Sequence, residues 1–211
     1  VRSQPEQPPR WFRPFDIAPT VLELAGLKSH PRFQGVSFAP ILENPEATTR
    51  DYVFAEHNWH VYRNHERMLR MGDFMYIRNS YNEKRNLCRE SAPFFPAGVE
   101  LWEAYEQGRT NPRQEDIFTV PRPEEELYHV TEDPFQFHNL AGDPRYSKTL
   151  EECREILDRW IEQTGDNIPE NPTPDREDIY MNENPEFERG EMPGEKTGAD
   201  TITRKGPVRS I

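Results

Sequence analysis

RMLRMGDFMYIRNS, residues 67–80, sets the architecture of this chain. Two short runs flank Gly72-Asp73, a Gly-X pair suited to a two-residue turn, so the segment predicts a β-hairpin with strands near 67–71 and 74–79. Met68, Met71, Phe74 and Tyr76, with Leu69, Met75 and Ile77, offer apolar groups to both faces, so the hairpin needs strand partners and a cover. DYVFAEH (51–57) has a β-rich centre and reads as a buried strand. ELYHV (126–130) is another, ended by Thr131-Glu132-Asp133-Pro134. The cover comes from the strongest periodic segment: Tyr146, Leu150, Cys153, Leu157 and Trp160 repeat at spacings of four and three, with Ile156 and Ile161 beside them. That pattern is an amphipathic helix from about Pro144 to Gln163, capped by Asp143 and stopped at Gly165. Cys153 sits on its apolar face and reads as a small buried hydrophobe. The expected fold class is therefore α+β: a small antiparallel sheet packed against a C-terminal amphipathic helix.

Outside this unit the signals are shorter. Residues 16–26, DIAPTVLELAG, predict a helix capped by Asp16, with Pro19 in its first turn and Gly26 as its stop. Ile17, Val21, Leu24 and Ala25 fall on one face. FQGVSFAPIL (33–42) is a turn and a short apolar element, residues 81–98 are irregular, and GVELWEAYEQG (98–108) is a short helix between glycines. Residues 111–125 have loop chemistry. After Gly165 the pattern collapses into a tail with six prolines and an excess of acids, either disordered or an extended strap over its neighbour.

Composition limits the partners. Only 34% of the 211 residues are hydrophobic, and the 21 prolines are about twice the usual share. Mean hydropathy is -0.99, and no stretch approaches the roughly 18 apolar residues that span a bilayer. A net charge of -12 disfavours nucleic acid and anionic membranes as the main partner. Cys88 and Cys153 are too few for a disulfide scaffold and match no zinc spacing. The chain opens on Val1 with no signal-peptide core after it, so a longer polypeptide is expected upstream.

The charge is not evenly spread. From His57 to Arg89 seven basic residues outnumber three acids, a local +4. The same stretch opens with His57, Asn58, Trp59, His60, Tyr62 and His65. Rings stack on pyranose faces, and arginine pairs bidentately with sulfate, phosphate or carboxylate. His57, His60, Tyr62, Arg63, His65 and Arg67 are therefore the candidate contacts for an anionic sugar, against the alternatives of an ordered polar loop and a solvated arginine face. His57-x-x-His60 followed by His65 lacks a fixed geometry for zinc, and no metal site is assigned.

Four motifs in order resemble one family. DIAPTVLELAG followed by GVSFAPIL resembles the DxxPTxLxLAG…GxSLxPLL stretch near the end of the catalytic domain of type I sulfatases. FAEHNWHVYRNHERMLRMGDFMYIRN is similar to the first strands of their C-terminal subdomain. ELYHVTEDPFQFHNLAGDPRY resembles the ELYDLxxDPxExxNLAxDPxY signature before their last helix. Among sulfatases the insertion at 81–125 and the DRWIEQTGD ending most resemble N-sulfoglucosamine sulfohydrolases. The resemblance covers about residues 11–166 and departs at His129 and Gln136, where the family has Asp and Glu.

The resemblance implies an alkaline-phosphatase-like sulfatase divided as follows: 1–15 a linker from the catalytic domain, 16–50 the end of that α/β domain, 51–165 the C-terminal subdomain, 166–211 an acidic tail. It implies a sulfated sugar substrate, and a subdomain that closes one side of the cleft. It also implies a formylglycine made from Cys or Ser in C-x-P-x-R and a calcium ion on Asp/Asn oxygens. Neither is expected here, because the cysteine contexts are Cys88-Arg-Glu-Ser-Ala and Cys153-Arg-Glu-Ile-Leu. Both belong to an N-terminal catalytic domain of the same polypeptide, and the chain alone is expected to be inactive. The alternatives are a non-catalytic carbohydrate-binding module and a phosphatase-type member of the superfamily. Family habit suggests periplasm, extracellular space or lysosome, and the lack of an Asn-x-Ser/Thr sequon favours the periplasm.

Overall fold

The computed structural model describes residues 11–59, 61–176, 179, 188–195 and 204–209. Four strands, β1 (Tyr52–His57), β2 (Glu66–Met71), β3 (Phe74–Asn79) and β4 (Glu125–His129), form an antiparallel meander in the order β1-β2-β3-β4. The β2–β3 turn falls at Gly72-Asp73, where Gly72 takes a φ of 52° that other residues adopt at a cost. Among the described residues the named α-helices are α1 (Ile17–Leu24), α2 (Ala39–Glu43), α3 (Pro96–Glu106), α4 (Pro112–Glu115) and α5 (Ser147–Thr164).

The register sorts every strand residue by face. Tyr52, Phe54, Leu69, Tyr76 and Leu127 share one face and pack with Leu150, Cys153, Ile156, Leu157 and Trp160 of α5 in a single apolar core. Phe54 and Trp160 stack at 5.5 Å and 13°. The apolar stripe of α5 thus does what its spacing predicts. β1 is buried only in its first half: Tyr52 and Phe54 are inside, whereas Ala55, Glu56 and His57 are exposed beyond the Trp160 contact. The second face carries His57, Glu66, Met68, Asn79, Ile77, Glu126 and Tyr128 by the same alternation.

Asp16 does not cap α1 with its side chain. It is buried and accepts from the Arg13 and Val36 main-chain N–H groups at 2.7 and 2.8 Å and from the Arg50 guanidinium at 2.6 Å. That carboxylate ties three distant segments together. Ile17, Val21 and Leu24 of α1 remain 54 to 59% exposed, with Phe12, Phe15 and Leu27 beside them. The segment expected as a loop at 111–125 starts with α4, whose Asn111 side chain accepts from the Arg113 and Gln114 N–H groups. Trp102 of α3 and Tyr105 close on Phe118, at 5.0 and 3.9 Å, as a small satellite cluster.

The described parts of the tail run as a strap. Pro169 O accepts from the Tyr81 hydroxyl and Thr173 O from the Trp59 indole. Farther on, Val208 O accepts from the Asp51 N–H at 2.8 Å. Gly206 lies flat on Trp160, where a Cβ would come within 2.4 Å of the ring at a φ of +76°. Among the described residues no helix is long and apolar enough to cross a membrane.

Candidate functional site

β1 ends at His57 and β2 begins at Glu66, and the register sets these two residues opposite each other. The chain between them, 58–65, is the crossover that holds most of the sequence-predicted sugar contacts. His57 is exposed, and its Nδ1 lies 2.8 Å from Glu66 Oε2. The other Glu66 oxygen accepts from Arg122, which also donates to Asn79 Oδ1 at 2.6 Å. Asn79 donates onward to Glu126 Oε1 at 2.6 Å, and Tyr128 donates to Glu126 Oε2. A continuous polar ladder therefore crosses the second face of the sheet from His57 to Tyr128. Burial pushes the Glu66 carboxyl up, but the His57 hydrogen bond and the Arg122 guanidinium outweigh it and hold the group below its ordinary value. Burial and the adjacent Glu126 push the Tyr128 phenol well up, so it stays a hydrogen-bond donor.

The remaining candidates divide. Tyr62 lines an open pocket of about 350 Å³ with Glu83, Lys84, Arg85 and Val120. Arg63 donates its main-chain N–H to the buried Asp175 carboxylate, 3.5 Å from Lys84 Nζ. His65 and Arg67 are not surface groups. His65 is 2% exposed, with Nδ1 3.0 Å from Ser80 Oγ and Nε2 3.3 Å from Asn167 O. Burial, reinforced by neighbouring Arg67, lowers its pKa to about 4, so the ring is neutral and donates from one nitrogen while accepting at the other. Arg67 is 1% exposed and gives Nε and a terminal nitrogen to the Asp166 carboxylate. Both side chains are buried and hydrogen-bonded inside the fold. The neighbouring Trp59 ring is also buried, and its indole N–H is taken by Thr173 O. His60 lies outside the described residues.

Arg122, Asn79 and Glu126 carry no sequence signal that marks them. Arg122 sits between two prolines in a segment without periodicity, and its partners lie 43 and 56 residues away. Among the described residues no three His, Cys, Asp or Glu side chains are grouped to hold a metal ion. Cys153 is fully buried and its thiol is pushed up to about 12 by burial, so it is inert.

No protein-family model matches the chain. An ulvan-active sulfatase of Formosa agariphila is 35% identical over 159 residues, which is 74% of this chain and 26% of that protein. The homologues of this chain are sulfatases. A second ulvan-active sulfatase of Formosa agariphila is 30% identical over 165 residues, and a Delta 4,5-hexuronate-2-O-sulfatase of Bacteroides thetaiotaomicron is 26% identical over 152. The chain spans about a quarter of the length of these sulfatases, 26%, 30% and 24% in turn. Among solved structures, a 2-O GAG sulfatase superposes with a TM-score of 0.45 at 24% identity, over 85% of this chain and 29% of that one. A protein in complex with its substrate D-glucosamine-2-N,6-O-disulfate superposes at 0.44 and 22% identity, over 70% of this chain and 23% of that one.

Proposed function

We propose that this chain is the C-terminal part of a sulfatase with an alkaline-phosphatase-like catalytic domain, acting on sulfate esters or sulfamates of glycosaminoglycan-type sugars. The observation that carries this is the 35% identity to a sulfatase over 74% of the chain. The likeness of residues 81–125 and of the DRWIEQTGD ending narrows our reading toward N-sulfoglucosamine sulfohydrolases. In this reading the crossover 58–65 forms one wall of the substrate cleft. Tyr62, Lys84 and Arg85 surround a pocket in which a sugar ring and its sulfate find an aromatic face and two cations. His57 is exposed at the end of β1, with Nδ1 engaged by Glu66 and Nε2 on the opposite side of the ring. Glu66 and Arg122 act on the sugar only by positioning that imidazole.

The residues present do not fit the nucleophile or the metal of the family. Cys88 and Cys153 stand in Cys-Arg-Glu contexts. We therefore place the formylglycine and the calcium in the part that the longer relatives carry, and expect no turnover from the 211 residues alone. The open apolar face of α1 supports a docked partner of that kind, since Ile17, Val21 and Leu24 are exposed together.

The site assignment is tested in the longer polypeptide. His57→Ala and Tyr62→Ala should each raise KM for a sulfated disaccharide about tenfold with a smaller change in kcat, a loss typical of one charge-assisted or stacking contact. Unchanged KM in both variants would remove these residues from the cleft.

A further inference from the structure

A second groove, of about 550 Å³, opens along the polar ladder, between the 112–123 segment and the turn at 135–139. Its size lies within the roughly 300–1,000 Å³ of small-molecule sites. Phe135 and Phe137 stand on its rim, 74% and 41% exposed, with rings stacked at 5.7 Å and 21°. Phenylalanines left together in water are unusual for a surface turn. Between them Gln136 has a φ of 58°, the one non-glycine residue with positive φ among the described residues. That strained conformation is fixed by Asp133, whose main-chain carbonyl accepts from the Gln136 N–H and whose carboxylate accepts from the His138 N–H. The strain holds the two rings as a pair. The Arg113 guanidinium lies 4.2 Å from the Phe137 centroid, and no carboxylate pairs with it among the described residues. Glu66 and Glu126, which also line the groove, are already engaged by Arg122, Asn79 and Tyr128. Asp116, on the 112–123 wall, adds a carboxylate that repels an anion placed away from the Arg113 end.

We propose that this groove binds an acidic sugar unit, its pyranose face on Phe135 and Phe137 and its sulfate or carboxylate on Arg113. A flat apolar platform beside an arginine without an acid partner matches a ring that carries both a C–H face and an anion. The groove is separate from the Tyr62 pocket, so it adds a subsite to the cleft proposed above. The sulfatase reading supplies only the choice of probe.

The test is a ¹H–¹⁵N NMR titration of the 211-residue chain with a heparin tetrasaccharide, and with the same tetrasaccharide chemically desulfated and re-N-acetylated. The proposal expects amide shifts concentrated at 113 and 135–138, Kd weakened at least fivefold by Phe135→Ala and by Arg113→Gln, and tighter binding of the sulfated probe. Both substitutions are at exposed positions, so the fold is preserved and checked in the same spectra. Shifts absent from 135–138, or Phe135→Ala binding as tightly as the parent chain, would overturn it. Shifts confined to 62 and 84–85 would overturn the groove while supporting the sulfatase cleft. Shifts at 113 and 135–138 would support the groove even if the longer polypeptide released no sulfate.

Discussion

Arg67 and Asp166 meet as a two-armed ion pair inside the protein, Nε 2.6 Å from Oδ2 and a terminal nitrogen 2.8 Å from Oδ1. Arg67 is the second residue of β2 and Asp166 follows the end of α5, so this one contact pins the helix exit to the sheet. Removing one partner leaves a buried charge without compensation, which typically costs about 3–5 kcal/mol. Arg67→Ala should lower the unfolding free energy by about that much in urea denaturation. Pairing it with Asp166→Ala should recover part of the loss. A single-variant loss under about 1 kcal/mol would mean that the pair is solvated in solution.

His65, next to Arg67, makes stability depend on pH. Its folded pKa is lowered to about 4, while the unfolded chain titrates near the ordinary 6.5. Between those values the unfolded state binds the extra proton. The stabilisation is therefore complete above about pH 6.5, falls as pH drops toward 4, and levels off below that. The size is on the order of 3 kcal/mol. His65→Gln should flatten the stability profile between pH 6.5 and 4 relative to the parent chain, whatever its effect at pH 7. Parallel profiles would show that His65 titrates normally.

The strap makes its own demand at Gly206, where a Cβ would meet Trp160 at 2.4 Å and the backbone is left-handed. Gly206→Ala should destabilise by about 1–3 kcal/mol through overpacking and strain. It should also quench or shift Trp160 fluorescence. A neutral substitution would mean that 204–209 leaves the helix in solution.

The hairpin at Gly72-Asp73, the flanking strands and α5 are legible in the sequence because each is written in a local period of two or 3.6 residues. The polar connections are not. Arg67 meets Asp166 99 residues later, and Trp59 donates to Thr173 114 residues later, so nothing in either neighbourhood announces the other. This is why His65 and Arg67 read as sugar contacts on composition while their hydrogen bonds run inside the fold. Asp16 has the residue type and place of a helix cap, yet the Arg50 guanidinium and the Val36 N–H outcompete the helix for it. The groove at Phe135 and Phe137 escapes notice for another reason: exposure of the two rings and the positive φ at Gln136 between them leave no periodic signal in the sequence.

The role proposed for these residues is to complete a sulfatase. The most direct measurement is sulfate release from N-sulfated and O-sulfated glucosamine-containing saccharides by the polypeptide extended upstream of Val1, with the 211-residue chain alongside. Turnover is expected from the extended protein, none from the chain alone, and loss of turnover when residues 51–165 are deleted. An extended protein that folds, carries a C-x-P-x-R site with its formylglycine formed, and releases no sulfate from any sulfated sugar would contradict it.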